Sequence, residues 1–162
     1  MLLASEDTTF LALEAATAAM ATKEELDAFI RAEFPGSRCV IEEVGNLGAT
    51  VSLEVGQADR RPGGTVAGPV LMAVADVALY VAVLGEIAIV PLAVTTSLTI
   101  NFLRRPRAEG RLVGVCKLLK LGRTLAVGEV SVYSDAMEGV VAHVVGTYSI
   151  PPDAARSPRT PE

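Results

Sequence analysis

A chain of 162 residues and 16.9 kDa, with 51% hydrophobic and 20% charged residues, has the length and composition of one folded domain, which excludes an intrinsically disordered protein. The net charge of -5 and a pI near 5.0 exclude a broad phosphate-binding face, so nucleic acid is not an expected partner and an anionic ligand must be held by a local cluster. The two cysteines, Cys39 and Cys116, sit among apolar neighbours, which predicts buried thiols, no disulfide framework and a reducing, cytoplasmic setting.

At the N-terminus Met1-Leu2-Leu3 is followed at once by Ser5, Glu6 and Asp7, without the basic start or long apolar run of a secretory signal. Residues 1–19 are Ala-rich and are expected to form an extension, helical or loosely attached, ahead of a domain spanning residues 20–150. Thr22-Lys23-Glu24-Glu25 is a capping-box pattern, and Leu26, Phe29, Ile30 and Phe34 recur at helical spacing until Pro35-Gly36. Two β-prone runs follow, Cys39–Val44 and Ala49–Val55, joined by the turn cluster Gly45-Asn46-Leu47-Gly48, which predicts a hairpin. In the second run Val51, Leu53 and Val55 alternate with Ser52 and Glu54, so the latter two are expected to face water.

The stretch Gln57–Thr65, with Arg60, Arg61, Pro62, Gly63 and Gly64, reads as an irregular loop. It leads through Ala67-Gly68-Pro69 into an apolar helix predicted from about Val70 to Leu84, with the proline at its entry and Gly85 as its stop. The span Val70–Val94 is long enough to cross a bilayer, but Asp76, Gly85, Glu86 and Pro91 are costly or disruptive in lipid. A buried helix, a turn and a strand are expected instead. Four strands then follow: Val94–Leu103, Leu112–Leu119, Leu125–Tyr133 and Val140–Ile150. Pro151-Pro152 closes the series, and residues 151–162 read as a flexible tail.

This order, a helix, two strands, an apolar helix and four strands, predicts an α+β fold with antiparallel pairing across short connections. A helix apolar nearly all round must be covered on every side, more than one curved sheet can do. A second copy is therefore expected to cover the remainder, in a homodimer or a dimer-of-dimers homotetramer.

The stretch from Arg61-Pro-Gly-Gly-Thr-Val-Ala-Gly-Pro to Ala75-Asp76, with Thr95-Thr96-Ser-Leu-Thr-Ile-Asn-Phe-Leu-Arg-Arg-Pro106, resembles the hotdog acyl-CoA thioesterases of the PaaI-like (phenylacetate-degradation) group. The last strand, Ala142-His143 to Gly146-Thr147-Tyr148, is similar as well, and the likeness covers about residues 37–150. It implies the hotdog fold, a six-stranded antiparallel sheet wrapped around one long helix, and hydrolysis of a small or medium acyl-CoA. The family's His-Gly-Gly entry to the helix falls on Ala67, Gly68 and Pro69, and its acid falls on Asp76. The histidine is thus absent, and Arg61 stands where many relatives carry an asparagine.

Thioester hydrolysis needs an attacking water or carboxylate and a donor for the developing oxyanion. The unpaired amides at the start of the apolar helix are candidate donors. Pro69 has no N–H, which leaves Gly68 or Val70. Asp76, two turns beyond Pro69 and on the same side, is the candidate base or nucleophile; its alternative is a carboxylate that only supports the oligomer. The resemblance implies a hydroxyl from the partner subunit that orients the water, which points to Thr96 or its neighbour Thr95. Candidate substrate contacts are Arg61, Gly64, Val70, Met72 and Tyr80. The strand-end cations Arg104 and Arg105, and Lys120 with Arg123, are further candidates for the coenzyme A phosphates. Arg60 and Arg61 are alternatively partners for Asp76 or for an acyl carboxylate. His143 is expected to be structural. No cofactor is called for: a lone histidine makes no zinc or iron site, and Gly63-Gly64 lacks the residues of a phosphate-binding loop. A protein that binds acyl-CoA without cleaving it is the alternative function.

Overall fold

The computed structural model describes residues 20–152. The first helix, α1, spans Lys23–Glu33. Its capping box forms as expected: the Thr22 hydroxyl accepts the Glu25 amide at 3.2 Å, and the Glu25 carboxylate accepts the Thr22 amide at 2.9 Å. Leu26 and Ile30 are its buried residues, and Phe34 caps its end by donating its N–H to Ile30 O at 2.9 Å.

Strands β1 (Val40–Gly45) and β2 (Gly48–Glu54) form the expected hairpin. Asn46 and Leu47 turn the corner at φ 53° and 56°, the pairing of positive angles that matches the twist of the flanking strands. Ser52 departs from expectation. It is buried, because Glu42 folds over it and accepts its hydroxyl, with Arg111 against the same carboxylate at 3.4 Å. A buried hydroxyl is tolerated when it is paired.

The stretch 57–65 is also more ordered than its composition suggests. Gln57–Asp59 makes one 3₁₀ turn, and β3 (Arg60–Arg61) pairs antiparallel with β4 (Thr65–Val66) around the left-handed Gly63 and Gly64. The organiser is the buried Asp59, whose carboxylate takes the Gly56 amide at 2.7 Å and the Arg38 guanidinium. Burial opposes its charge, but Arg38 and the Gly56 amide outweigh that and hold the carboxyl below its usual range.

The central helix α2 runs Gly68–Ile87, two residues earlier and three later than the sequence predicts. Ala67 is its N-cap and Pro69 lies in its first turn. Gly85 does not stop it. A Cβ there would stand 2.5 Å from Val44 Cγ2, so this glycine lets β1 close on the helix. Ala88, at φ 69°, makes the turn instead. Glu86 also has a task, accepting the Leu47 amide at 2.8 Å and tying the hairpin turn to the helix end.

β5 (Val94–Phe102), β6 (Arg111–Leu121), β7 (Leu125–Ser134) and β8 (Val140–Ser149) complete one six-stranded antiparallel sheet, in the order β1-β2-β6-β7-β8-β5. The sheet curls round α2, whose length and mean hydropathy of 2.1 would also suit a membrane span. Its residues from Ala78 to Gly85 are all buried. Where sheet and helix touch, side chains are removed to let them approach. Gly128 and Gly146 are paired across β7 and β8, and a Cβ at either would stand 2.6 or 2.5 Å from a Leu79 methyl.

The cover of α2 is incomplete near its start, where Pro69, Met72 and Ala73 are exposed, as expected from the sequence. β5 is exposed along most of its length, including Val94 and Phe102 at 52% and 54%, and its outer edge has no pairing strand among the described residues. His143, on β8, stands 3.1 Å from Glu129 on β7. Cys116 is buried, its thiol pushed up to about 12 by burial, whereas Cys39 is only partly buried.

The glycine window under Leu79 makes a direct prediction. Gly146→Ala is expected to destabilise the fold by about 1–3 kcal/mol through overpacking, read as a lowered urea midpoint. An unchanged midpoint would mean that the helix has room to move off the sheet.

Candidate active site

Asp76 is the only charged residue of α2 before Glu86, and the fold provides it with a specific seat. The carboxylate leaves the helix toward the start of β5 and the end of β8, which pair there through Thr95 and Tyr148. Thr95 Oγ1 donates to Asp76 Oδ1 at 2.7 Å, and the Tyr148 hydroxyl donates to the same oxygen at 2.9 Å. Oδ2 has no hydrogen-bond partner among the described residues. Burial, reinforced by the adjacent Asp76 charge, pushes the Tyr148 phenol far above its ordinary value, so it remains a donor. Its ring stacks on Tyr80 at 5.7 Å and 25°, and the Tyr80 hydroxyl donates to Pro91 O at 3.4 Å.

The hydroxyl that meets Asp76 within one chain comes from the start of β5, which leaves α2 through a short turn and returns beside it. The residue is Thr95 and not Thr96, whose hydroxyl donates instead to Thr147 O at 3.2 Å. The register shift between Thr95 and Ser97 separates the two: a bulge turns neighbouring side chains to different partners. Sequence reasoning also misses Tyr148 as a site residue. It is visible there only as part of a family-like strand, and nothing local marks a tyrosine that reaches across to a helix.

Asp76 opens into a hollow of about 500 Å³ lined by Ile30, Phe34, Val77, Tyr80, Pro91, Ala93 and Val94, with Thr95 and Tyr148 beside the carboxylate. Its wall is apolar and aromatic, and the acid is its one charged group. Such a site suits a hydrophobic ligand with one reacting polar group.

The helix N-terminus lies elsewhere. Gly68 lines a separate hollow of about 420 Å³ with Arg61, Arg104, Arg105, Leu71 and Phe102. Of the two candidate amides, Val70 donates to Ala67 O at 3.0 Å. That leaves Gly68, for whose N–H no partner outside the helix stands among the described residues. Its missing side chain is occupied by Phe102, whose Cζ would lie 3.2 Å from a Cβ. The loop before it is pinned, since Asp59 O accepts the Ala67 amide at 2.8 Å.

Asp76 and Gly68 thus line different hollows of one chain. Arg61 sits with Gly68 and does not pair with Asp76. Val70 lines a third hollow with Pro69, Ala73 and Val77. Gly64 and the exposed Met72 line none of these three hollows. The two basic clusters separate as well: Arg104 and Arg105 follow the end of β5 that pairs with the start of β8, whereas Lys120 and Arg123 flank the β6–β7 turn at the opposite end of the sheet. Arg104 also donates to Glu138 O at 3.3 Å, which anchors it toward the β7–β8 turn.

Raised phenols carry a pH signature. For Tyr148 and Tyr80 the protonated form is favoured by folding, so their contribution is complete below the ordinary phenol pKa of about 10 and is lost as pH climbs beyond it. Unfolding free energy should fall across that range more steeply in the wild type than in Tyr148→Phe. Equal slopes would place the Tyr148 hydroxyl in water.

Comparisons with known proteins agree with this architecture. The sequence profile of the thioesterase superfamily matches residues 63–141, from the loop before α2 to the start of β8. The chain is similar to a candidate thioesterase from Silicibacter sp. TM1040, with 41% identity over 83% of this chain and 96% of that one and a TM-score of 0.74. It is similar also to the phenylacetic acid degradation protein PaaI from Thermus thermophilus, in a mutant form, with 25% identity over 75% and 97% of the two chains and a TM-score of 0.61. The zebrafish thioesterase superfamily member 2, at 20% identity over 80% and 98% and a TM-score of 0.70, shares the fold. No match is found among curated proteins. The chain belongs to the thioesterase superfamily, as a hotdog-fold thioester hydrolase of the PaaI-like group.

Proposed function

We propose that the protein hydrolyses small or medium acyl-CoA thioesters to the free acid and coenzyme A, with Asp76 as the attacking or water-activating carboxylate. The observation that carries this reading is the seat of Asp76. Thr95 and Tyr148 hold one carboxylate oxygen by two hydrogen bonds and leave the other without a protein partner beside an apolar hollow. A carboxylate needed only for packing has no use for a free oxygen facing a cavity, whereas a general base or nucleophile requires one.

In this reading the acyl chain lies in the hollow against Val77 and Tyr80, with the thioester carbonyl beside Asp76. The oxyanion is met by the Gly68 amide, the first free donor of α2, where the helix dipole favours negative charge. Because Asp76 and Gly68 line separate hollows of one chain, the donor for one copy's Asp76 is the Gly68 of a second copy. The exposed, unpaired edge of β5 supplies the surface on which that copy docks, since a long unpaired edge strand is otherwise an aggregation hazard. Arg61, Arg104 and Arg105 around Gly68 then stand where coenzyme A phosphates leave the site. Lys120 and Arg123, at the other end of the sheet, have no part in it.

Loss of the family histidine at Ala67 removes no group from this scheme, because the donor is a backbone amide. Asp76→Asn is expected to reduce kcat for thiol release from acyl-CoA by about 10²- to 10⁴-fold, with the oligomer mass unchanged in sedimentation. Tyr148→Phe is expected to give a smaller loss. A single turnover in ¹⁸O-water tests the nucleophilic role of Asp76: label in its carboxylate requires a mixed anhydride opened at Asp76 Cγ, whereas label in the product acid alone shows that water attacked the acyl carbon. Full activity in Asp76→Asn would remove the assignment. Binding of acyl-CoA without hydrolysis by the wild type would make the protein a carrier.

A further inference from the structure

Phe34 stands where three hollows meet. It lines the hollow of about 500 Å³ beside Asp76, a groove of about 510 Å³ along Val77, Ala73 and Val70 of α2, and a third of about 430 Å³ under the last turn of α1. The only other residue common to all three is Ser37, which is small. The Asp76 hollow and the groove also share Val77 on the helix floor, so of the residues between those two the Phe34 ring is the largest and the one that does not belong to the floor.

The ring is held in place. Its backbone caps α1 on Ile30, and α1 is anchored by the buried Leu26 and Ile30. The ring meets Phe29 edge-on at 6.1 Å and 77°, and Tyr80 at 5.9 Å and 82°. Tyr80 stacks in turn on Tyr148, which donates to Asp76. A run of aromatic contacts thus connects the carboxylate to the partition, and the hollow between them has a fixed length.

We propose that Phe34 is the specificity-determining end wall of the acyl pocket, where its ring separates the Asp76 hollow from the Val77–Ala73–Val70 groove and limits acyl length. The proposal rests on the reading of the Asp76 hollow as the acyl site. A chain that leaves the thioester carbonyl at Asp76 passes over Val77 and Tyr80 and reaches Phe34. Methylenes up to that point are buried, and the ring keeps those beyond it out of the neighbouring groove. Removing the ring joins the hollow to the groove, whose Val77, Ala73 and Val70 sit at helical spacing and form a continuous apolar floor. Each further methylene buried there is expected to gain about fourfold in binding or in kcat/KM.

The test compares wild type, Phe34→Ala and Phe34→Trp on two series of increasing straight-chain length. One series is acyl-CoA thioesters, read as kcat/KM for thiol release. The other is the matching S-alkyl coenzyme A thioethers, which cannot be hydrolysed, read as Kd. In wild type both readouts are expected to improve with each methylene up to a limit and then to level or fall. Phe34→Ala should move that limit to chains several carbons longer, and Phe34→Trp should move it to shorter ones. Phe34 is 45% exposed, so neither change is expected to prevent folding. If no thioester is cleaved but the thioether limit moves, the hydrolytic reading fails and the end wall stands. If thioesters are cleaved and neither limit moves, hydrolysis stands and the end wall is overturned. No binding of any thioether overturns it as well.

Discussion

The structure depends on one constraint: a twenty-residue apolar helix must be kept from water with a single carboxylate along its middle. Burial of α2 supplies the main hydrophobic contribution of the domain and sets the shape of everything around it. The sheet has to curl, and the strands nearest the helix must give up side chains at Gly114, Gly128 and Gly146 so that Val74 and Leu79 can reach the backbone. The pinned loop before Gly68 and the hairpin tied by Glu86 hold the two ends of the helix. Asp76 then lies at a fixed place against β5 and β8, and its partners follow from strand register.

That same constraint accounts for the division of the site. An isolated carboxylate inside so apolar a helix is costly unless it is hydrogen-bonded, and Thr95 and Tyr148 meet that need with one of its oxygens. The helix N-terminus, two turns away, faces another hollow with three arginines. In the proposed reaction a base and an oxyanion donor separated in this way are joined through a second chain docked along β5, so that the demand for cover and the demand for a complete site have the same solution.

Much of the fold is legible in the sequence because it rests on local signals. The Thr22–Glu25 capping box, the Asn46–Leu47 turn and the apolar run of α2 all behave as their patterns predict. Two departures share a cause: a residue's local preference is overridden by a distant contact. Gly85 reads as a stop signal in isolation, yet Val44 from β1 packs into its missing side chain and the helix continues. The polar stretch 57–65 reads as irregular, yet buried Asp59 and its ion pair with Arg38, twenty-one positions back, organise it. The site is partly legible in the same sense. Asp76 announces itself as an acid in an apolar helix, whereas Tyr148 and the choice of Thr95 over Thr96 depend on register and a bulge that no local pattern displays.

The central claim is that each working site joins Asp76 of one copy to Gly68 of another. Mixing two inactive proteins tests it most directly: Asp76→Asn, and Gly68→Val, which places a branched side chain where Phe102 and the oxyanion must lie. If the site is shared, mixed oligomers contain one intact site for each doubly defective one, and a randomised equal mixture should recover about a quarter of wild-type turnover. Recovery of no activity above that of the separate variants would place both groups in one chain and contradict the account.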